Sequence, residues 1–303
     1  MQTASFDPGL TQKFSAPPRR LINQDGTFNV RRHGAPWRHF DPYLYLVNMG
    51  WLPFFATLFL GFLVVNTLFA AAYYAVGTGQ LQGVTGTSPG ARFLDAFFFS
   101  SHTLTTVGYG NIAPQGIGAN LVASFESMVG VLGFAVATGL LFGRVSRPSA
   151  RIGFSTNMLV APYQDGTSLQ FRVVNLRRNE LMEMEATVML MTIEPQSGDP
   201  KARYQLLRLE RQKITFFPLS WTVVHPIDSD SPLSGLNADD LKRLHAEVLI
   251  LIKGYDDTFA QTVLTRYSYR HDEMLWGRRF APAFYVDGGG DLVLDVGKVG
   301  EVA

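Results

Sequence analysis

Thr106-Val107-Gly108-Tyr109-Gly110 sets two glycines one residue apart among a hydroxyl, a branched and an aromatic side chain. Gly108 and Gly110 tolerate the positive φ angles that aim successive carbonyls the same way. Val107 and Tyr109 can then pack outward as struts, and Thr106 adds its hydroxyl. Rings of such carbonyls replace the water shell of a monovalent cation without any side-chain charge. One copy per chain supplies one quarter of each ring, so the chemistry asks for a homotetramer. As a bare string the same residues make a tight turn, and what flanks them decides.

Other chemistry finds little footing. The six histidines show no H-E-x-x-H or other metal spacing, so no metal site is expected. Gly86-Thr87-Ser88-Pro89-Gly90 fits G-x-S-x-G, but a nucleophile elbow needs a strand before it and a helix after it in an α/β sheet. Gly297-Lys298 lacks the glycine-rich run and hydroxyl residue of a P-loop. The absence of cysteine excludes disulfides, thiol catalysis and Cys-ligated zinc. A net charge of +1 argues against a nucleic-acid binder. The expectation is a non-enzyme with no catalytic residue and no cofactor beyond permeant K+ in the filter.

The elements that must hold the string are legible as apolar runs. Although the chain is only 47% hydrophobic overall, residues 52–143 carry charge at Arg92, Asp95 and Glu126 alone. Residues 52–76 give 25 consecutive positions without charge, enough at about 1.5 Å per residue to cross a ~30 Å hydrocarbon core. This is the expected outer helix. An inner helix is expected over 117–145, interrupted within its apolar stretch only by Glu126. Between them, 92–105 is apolar but too short to cross, so it can only dip into the membrane as a pore helix ahead of a filter at 106–110. The negative end of its dipole would face the cavity and favour a cation.

Basic residues crowd the flanks, Lys13, Arg19, Arg20, Arg31, Arg32 and Arg38 before the first span and Arg144, Arg147 and Arg151 after the second. The positive-inside rule places both termini in the cytoplasm. Tyr73 and Tyr74 are expected at the outer interface. No apolar core with a cleavage site opens the sequence, so the first span is expected to direct insertion. A segment over 37–51, capped by Asp41-Pro42, is expected to lie on the cytoplasmic surface as an interfacial slide helix. Residues 1–36 form an N-terminal segment.

From residue 149 to 303 short alternating runs such as Leu169-Gln170-Phe171-Arg172-Val173 and Val248-Leu249-Ile250-Leu251-Ile252 alternate with Gly, Pro and Asp clusters. They predict an antiparallel β-sandwich. One short helix is expected between Asn237 and His245. The fold class is thus an α-helical two-span membrane pore domain (52–148) with a re-entrant pore helix, plus a cytoplasmic all-β sandwich. A two-span receptor or adaptor with a β-sandwich interaction module is the alternative, but it has no use for the filter string.

Ser100-Ser101-His102-Thr103-Leu104-Thr105 before the filter, Leu141-Phe142-Gly143-Arg144 through Arg147-Pro148, Ser220-Trp221-Thr222-Val223-Val224-His225-Pro226-Ile227-Asp228 and Leu275-Trp276-Gly277 together resemble a prokaryotic inwardly rectifying potassium channel. The resemblance implies an immunoglobulin-like sandwich whose four copies extend the pore. Gly130, Phe134, Thr138 and Phe142 recur every four residues on one face of the inner helix. By resemblance Phe142 is the gate and Gly130 a hinge, with close helix packing the other reading of that glycine. Phe134 and Thr138 line the cavity. Phe134 stands where strong rectifiers carry an acid, which weakens the case for polyamine or Mg2+ block there.

His102 stands where many relatives have Glu, and Asn111 where many potassium channels have Asp. His102 and Glu126 are the expected filter supports, and protonated His102 is expected to reduce current in acid, a response that His102→Gln would remove. Arg144, Arg147 and Arg151 match a contact for phosphoinositide or another anionic lipid, and equally satisfy the positive-inside bias. Asp257, Thr258 and Gln261 fall in the loop over 255–262 that narrows the cytoplasmic pore, or in a plain hairpin. His225 to Asp228 reads as a structural turn. As an ion channel the chain is also grouped with voltage-gated channels.

Overall fold

The computed structural model describes residues 8–31, 33–34, 41–146, 151–194 and 200–303. They divide into two units, 34–147 and 1–33 joined with 148–303.

The first unit is helical. α1 (Pro42–Asn48) starts where Asp41 accepts the Leu44 N–H at 3.1 Å and Pro42 fills the first turn. Of the expected slide helix, residues 37–40 lie outside the described residues. Its other end needs correction, because Trp51 is the first residue of α2 (Trp51–Val76). At 26 residues α2 is about 39 Å long. β1 (Leu81–Gln82) follows it. α3 (Pro89–Leu104) then begins three residues before the expected 92. Ser88 explains the earlier start, since its hydroxyl accepts the Ala91 N–H and Pro89 needs no partner for a missing N–H. The serine of G-x-S-x-G is a helix cap. β2 (Ala113–Pro114) pairs antiparallel with β1, and α4 (Ile117–Val145) runs 29 residues without a break.

Loop side chains close the helix ends of this unit. Gln80 Oε1 accepts the Gly118 and Ala119 N–H groups at the start of α4. Asp95 accepts the Thr85 and Gly86 N–H groups at 3.0 and 2.8 Å, and Arg92 donates to the Gly86 carbonyl. Those orphan amides sit where a helix start or loop would otherwise leave donors unpaired.

The second unit is two five-stranded sheets. One contains β6 (Leu181–Glu194), β7 (Lys201–Leu206), β8 (Lys213–Phe216), β10 (Glu247–Asp256) and β11 (Gln261–Arg270), in the order β11-β10-β6-β7 with β8 also on β6. The other contains β3 (Ile152–Phe154), β4 (Met158–Tyr163), β5 (Gly166–Asn175), β9 (Ser220–Ile227) and β12 (Met274–Trp276), in the order β12-β4-β5-β3 with β9 also on β5. Val160, Phe171, Val173 and Val223 of the second sheet share one core with Val188, Leu190, Val248 and Ile250 of the first. That is the immunoglobulin-like sandwich, with alternate residues of each strand turned inward. The expected helix is α5 (Ala238–Arg243), held by an Asn237–Asp240 capping box. β13 (Phe284–Val286) and β14 (Leu292–Leu294) form a hairpin near the end of the chain.

Residues 8–31 are not a separate segment, which corrects the 1–36 boundary. Lys13 bridges to Lys201 beside β7, and the Ala202 N–H donates to the Gln12 carbonyl. Ile22 packs with Met191, Ile193, Tyr204 and Leu249. The buried Glu247 carboxylate accepts the Leu21 and Ile22 N–H groups, and Arg20 pairs with Glu273.

Candidate ion-conduction site

α3 delivers the string. Leu104 ends the helix, and the Thr105 N–H donates to the Ser101 carbonyl. The chain then changes hand at every residue. Thr106, Gly108 and Gly110 have φ of 61°, 57° and 79°, whereas Val107 and Tyr109 stay on the ordinary side. Alternation of hand turns successive carbonyls to one side of the chain, the geometry a carbonyl ladder requires. Gly108 and Gly110 adopt this without cost. Thr106 is a β-branched residue in the left-handed region, a conformation that persists only where its surroundings impose it. Its residue type does not announce that conformation.

Hydrogen bonds hold the string to α3. The Thr106 N–H donates to the Thr103 carbonyl at 3.0 Å, and the Val107 and Gly108 N–H groups share the His102 carbonyl at 3.0 and 3.2 Å. The His102 ring meets Tyr109 edge-on at 4.8 Å. In the single chain Val107 and Tyr109 are 52% and 74% exposed.

Behind α3 lies a buried polar cluster. Glu126 on α4 accepts from the Tyr73 hydroxyl at 2.6 Å and hydrogen-bonds Ser100 on α3, which lies 3.0 Å from Asn66 Oδ1 on α2. Tyr73 corrects an expectation: at 1% exposed it is a partner of Glu126 rather than an interfacial ring, a role left to Tyr74. His102 and Glu126, both expected as filter supports, meet different partners. Asn66 and Ser100 were missed, although uncharged polar residues inside apolar runs are the signal that finds such partners.

Along α4, Phe134, Thr138 and Phe142 are exposed on one face of the single chain, while Leu140 on the opposite side packs with Val47 and Phe54. Gly130 is explained by contact. A Cβ there would stand 2.2 Å from the Leu104 carbonyl oxygen, so the residue allows α4 to touch the end of α3, and α4 is unbroken through it. Close packing is the reading of this glycine that the contact supports.

Arg144, expected at a lipid headgroup, points elsewhere. Its guanidinium donates to the Leu46, Val47 and Met49 carbonyls at 2.6, 3.0 and 2.7 Å, and lies 4.7 and 4.4 Å from the Trp51 and Phe54 ring centres. Carbonyls at the end of α1 lack intrahelical donors, and a planar fork can serve several of them at once. Arg147 lies outside the described residues. Arg151 is exposed beside β3, with its carbonyl accepting the Leu176 N–H.

In the second unit Asp257 and Thr258 are exposed in the turn between β10 and β11, and Gln261 opens β11. The residue that shapes this turn is Asp256, fully buried, which accepts from Asn179 Nδ2 at 2.7 Å and from the Thr258 N–H at 3.1 Å. His225 is also structural: one ring nitrogen donates to the Arg208 carbonyl at 2.6 Å and the other faces the Ser231 hydroxyl. Burial pushes its pKa below the ordinary histidine value, outweighing the Arg208 carbonyl and Asp228, which both favour charge.

Residues 51–147 match the family model described as ion channel, and residues 152–303 match the inward rectifier potassium channel C-terminal domain. The inward rectifier potassium channel Kirbac3.1 of Paramagnetospirillum magnetotacticum is 39% identical over 300 residues, covering 97% of this chain and 100% of that protein. The chain belongs to the inward rectifier potassium channel family. Human ATP-sensitive inward rectifier potassium channel 14 is 29% identical over 89% of this chain and 66% of its own length. Chicken ATP-sensitive inward rectifier potassium channel 12 is 27% identical, over 88% and 67%. As an inward rectifier family member the chain is an ion channel rather than an enzyme, with two helices long and apolar enough to span a membrane. The grouping with voltage-gated channels finds no support. α2 carries no charge and α4 only Glu126 and Arg144, so neither span offers a row of basic residues for a field to move.

Proposed function

We propose that the chain is one subunit of a homotetrameric, potassium-selective channel of the bacterial plasma membrane, with both termini cytoplasmic and passive conduction through a carbonyl filter at 106–110. The observation that carries this reading is the alternation of backbone hand over Thr106 to Gly110, directly after a helix too short to cross a membrane. Four copies would close the carbonyl rings and cover the exposed faces of Val107 and Tyr109.

Phe142 is the gate in this reading, since four exposed rings at the cytoplasmic end of α4 can dewet a narrow passage. Phe134 and Thr138 face the cavity above it. Glu126 and His102 support the filter by different routes, one behind α3 and one against Tyr109. Arg151 and Arg147 are the better candidates for phosphoinositide or another anionic lipid, because Arg144 is occupied by carbonyls. Asp257, Thr258 and Gln261 supply the cytoplasmic narrowing, with Asp256 setting the turn. An apolar Phe134 leaves polyamine or Mg2+ block to such cytoplasmic acids.

The test is rubidium uptake into liposomes holding the purified chain, compared with sodium and blocked with barium. Rubidium uptake well above sodium uptake is expected, with gel filtration reporting a tetramer. Equal uptake of both ions, or a dimer, would sink the reading.

A further inference from the structure

Four side chains behind α3 form a row whose protons can be counted. Asn66, Ser100 and Glu126 are fully buried and Tyr73 is 1% exposed. Tyr73 Oη contacts Glu126 Oε2, Glu126 Oε1 contacts Ser100 Oγ, and Ser100 Oγ contacts Asn66 Oδ1. The amide of Asn66 is oriented by its own helix, because Nδ2 donates to the Phe62 carbonyl at 2.7 Å and leaves Oδ1 toward Ser100. A carbonyl oxygen only accepts, so Ser100 must direct its one hydroxyl proton to Asn66. Tyr73 directs its proton to Oε2. The remaining contact, between Glu126 and Ser100, has no proton left from either hydroxyl.

We propose that Glu126 is a neutral carboxylic acid whose proton is donated to Ser100. The row then runs one way, from Tyr73 to Glu126 to Ser100 to Asn66 to the Phe62 carbonyl, with one proton in each link. One-directional rows strengthen each member, and this one ties α2, α3 and α4 together behind the candidate filter. The surroundings agree. α2 offers no ionisable group but Tyr73 and Tyr74. On α3, Arg92 and Asp95 serve the 85–86 loop and His102 turns to Tyr109, while Arg144 at the far end of α4 serves the carbonyls around α1. A carboxylate here would have no cation, and an unpaired charge at membrane depth is costly. Glu126 thus acts as a positioning residue in a defined chemical form, and this holds whichever ion the pore prefers.

Infrared spectra of the full-length chain in liposomes, taken with and without Glu126→Gln, read the proton directly. The difference spectrum is expected to lose one carboxylic-acid C=O band. Loss of the paired carboxylate stretches in its place would overturn the proposal. Glutamine also preserves the direction of the row, its oxygen accepting from Tyr73 and its nitrogen donating to Ser100. The melting temperature is therefore expected to hold in Glu126→Gln and to drop in Glu126→Leu, and an equal drop in both would count against the proposal. Should Glu126→Gln not fold, solid-state NMR of the unchanged chain with carboxyl-labelled glutamate decides: one protonated glutamate at neutral pH is expected, and none refutes it. Failed rubidium uptake would remove the channel reading and leave these outcomes untouched.

Discussion

The helical unit and the β-sandwich differ in how much apolar side chain they leave exposed. In the sandwich the two sheets close over a broad apolar layer, with Met158, Val173, Val248 and Ile252 fully buried, beside a few buried polar groups such as Asp256 and Ser268. In the helical unit Leu52 is 83% exposed and Phe134 76%, while Asn66, Ser100 and Glu126 have no exposure at all. The sandwich is built against water, where hiding apolar area is the main stabilising term. The helices are built for a surrounding as apolar as themselves. There apolar contact does little to choose one arrangement, and matched polar groups and close backbone approach hold the helices instead. The difference teaches that an exposed apolar side chain marks the surroundings of its unit: the helices carry many, and the sandwich turns its own inward.

Substitutions can break that contrast, and the largest effect belongs to the sandwich. Phe171→Ala is expected to cost about 3–5 kcal/mol, seen as faster amide exchange across β5 and β9, with α2 and α4 unchanged. Arg144→Lys keeps the charge but not the fork that serves three carbonyls, and should cost on the order of 1.5–3 kcal/mol in melting experiments on the reconstituted protein. Gly130→Ala forces a methyl against the Leu104 carbonyl, for a loss of roughly 1–3 kcal/mol together with reduced rubidium flux. If Gly130→Ala were tolerated in both readouts, close approach would not be what orders α3 and α4.

A pH effect on stability sharpens the comparison further, because the buried histidine behind it, His225, lies in the sandwich. A histidine whose folded pKa is depressed takes up its proton more readily unfolded. Stability is therefore complete above the ordinary histidine range, about pH 6.5, and is lost as pH falls below it. Hydrogen exchange in β9 is expected to rise between neutral and mildly acidic pH, and His225→Gln should flatten that slope. The smallest effect is expected for Phe134→Ala, within about 0.5 kcal/mol in stability because the ring packs on little of its own chain, with the change read in conduction. A large loss of stability there would mean that Phe134 belongs to a packed interface.

Much of this architecture was legible in the sequence for a simple reason. Runs such as 52–76 have few alternatives, since 25 uncharged apolar residues cannot be left in water. Alternating runs such as 169–173 have one face to bury, and the two glycines of the filter string announce their own backbone conformations. Family membership followed from motifs read in order. Helix ends were less legible, because Ser88 and Pro89 could open either a helix or a turn.

Pairings across the fold were decided only by tertiary structure. Composition put Glu126 in the membrane, but its partners lie 26 and 53 residues away, at spacings no local period encodes. Arg144 looked like any basic residue after a span until three carbonyls from 95 to 98 residues earlier were brought to it. Gly130 read as a hinge or as a close-packing residue, and only the fold showed the Leu104 carbonyl in the space where a side chain would stand. Thr106 is the limiting case. Its neighbours, not its own preferences, hold it in the left-handed region, and so the residue that opens the filter string gave no sign in the sequence of the conformation the fold imposes on it.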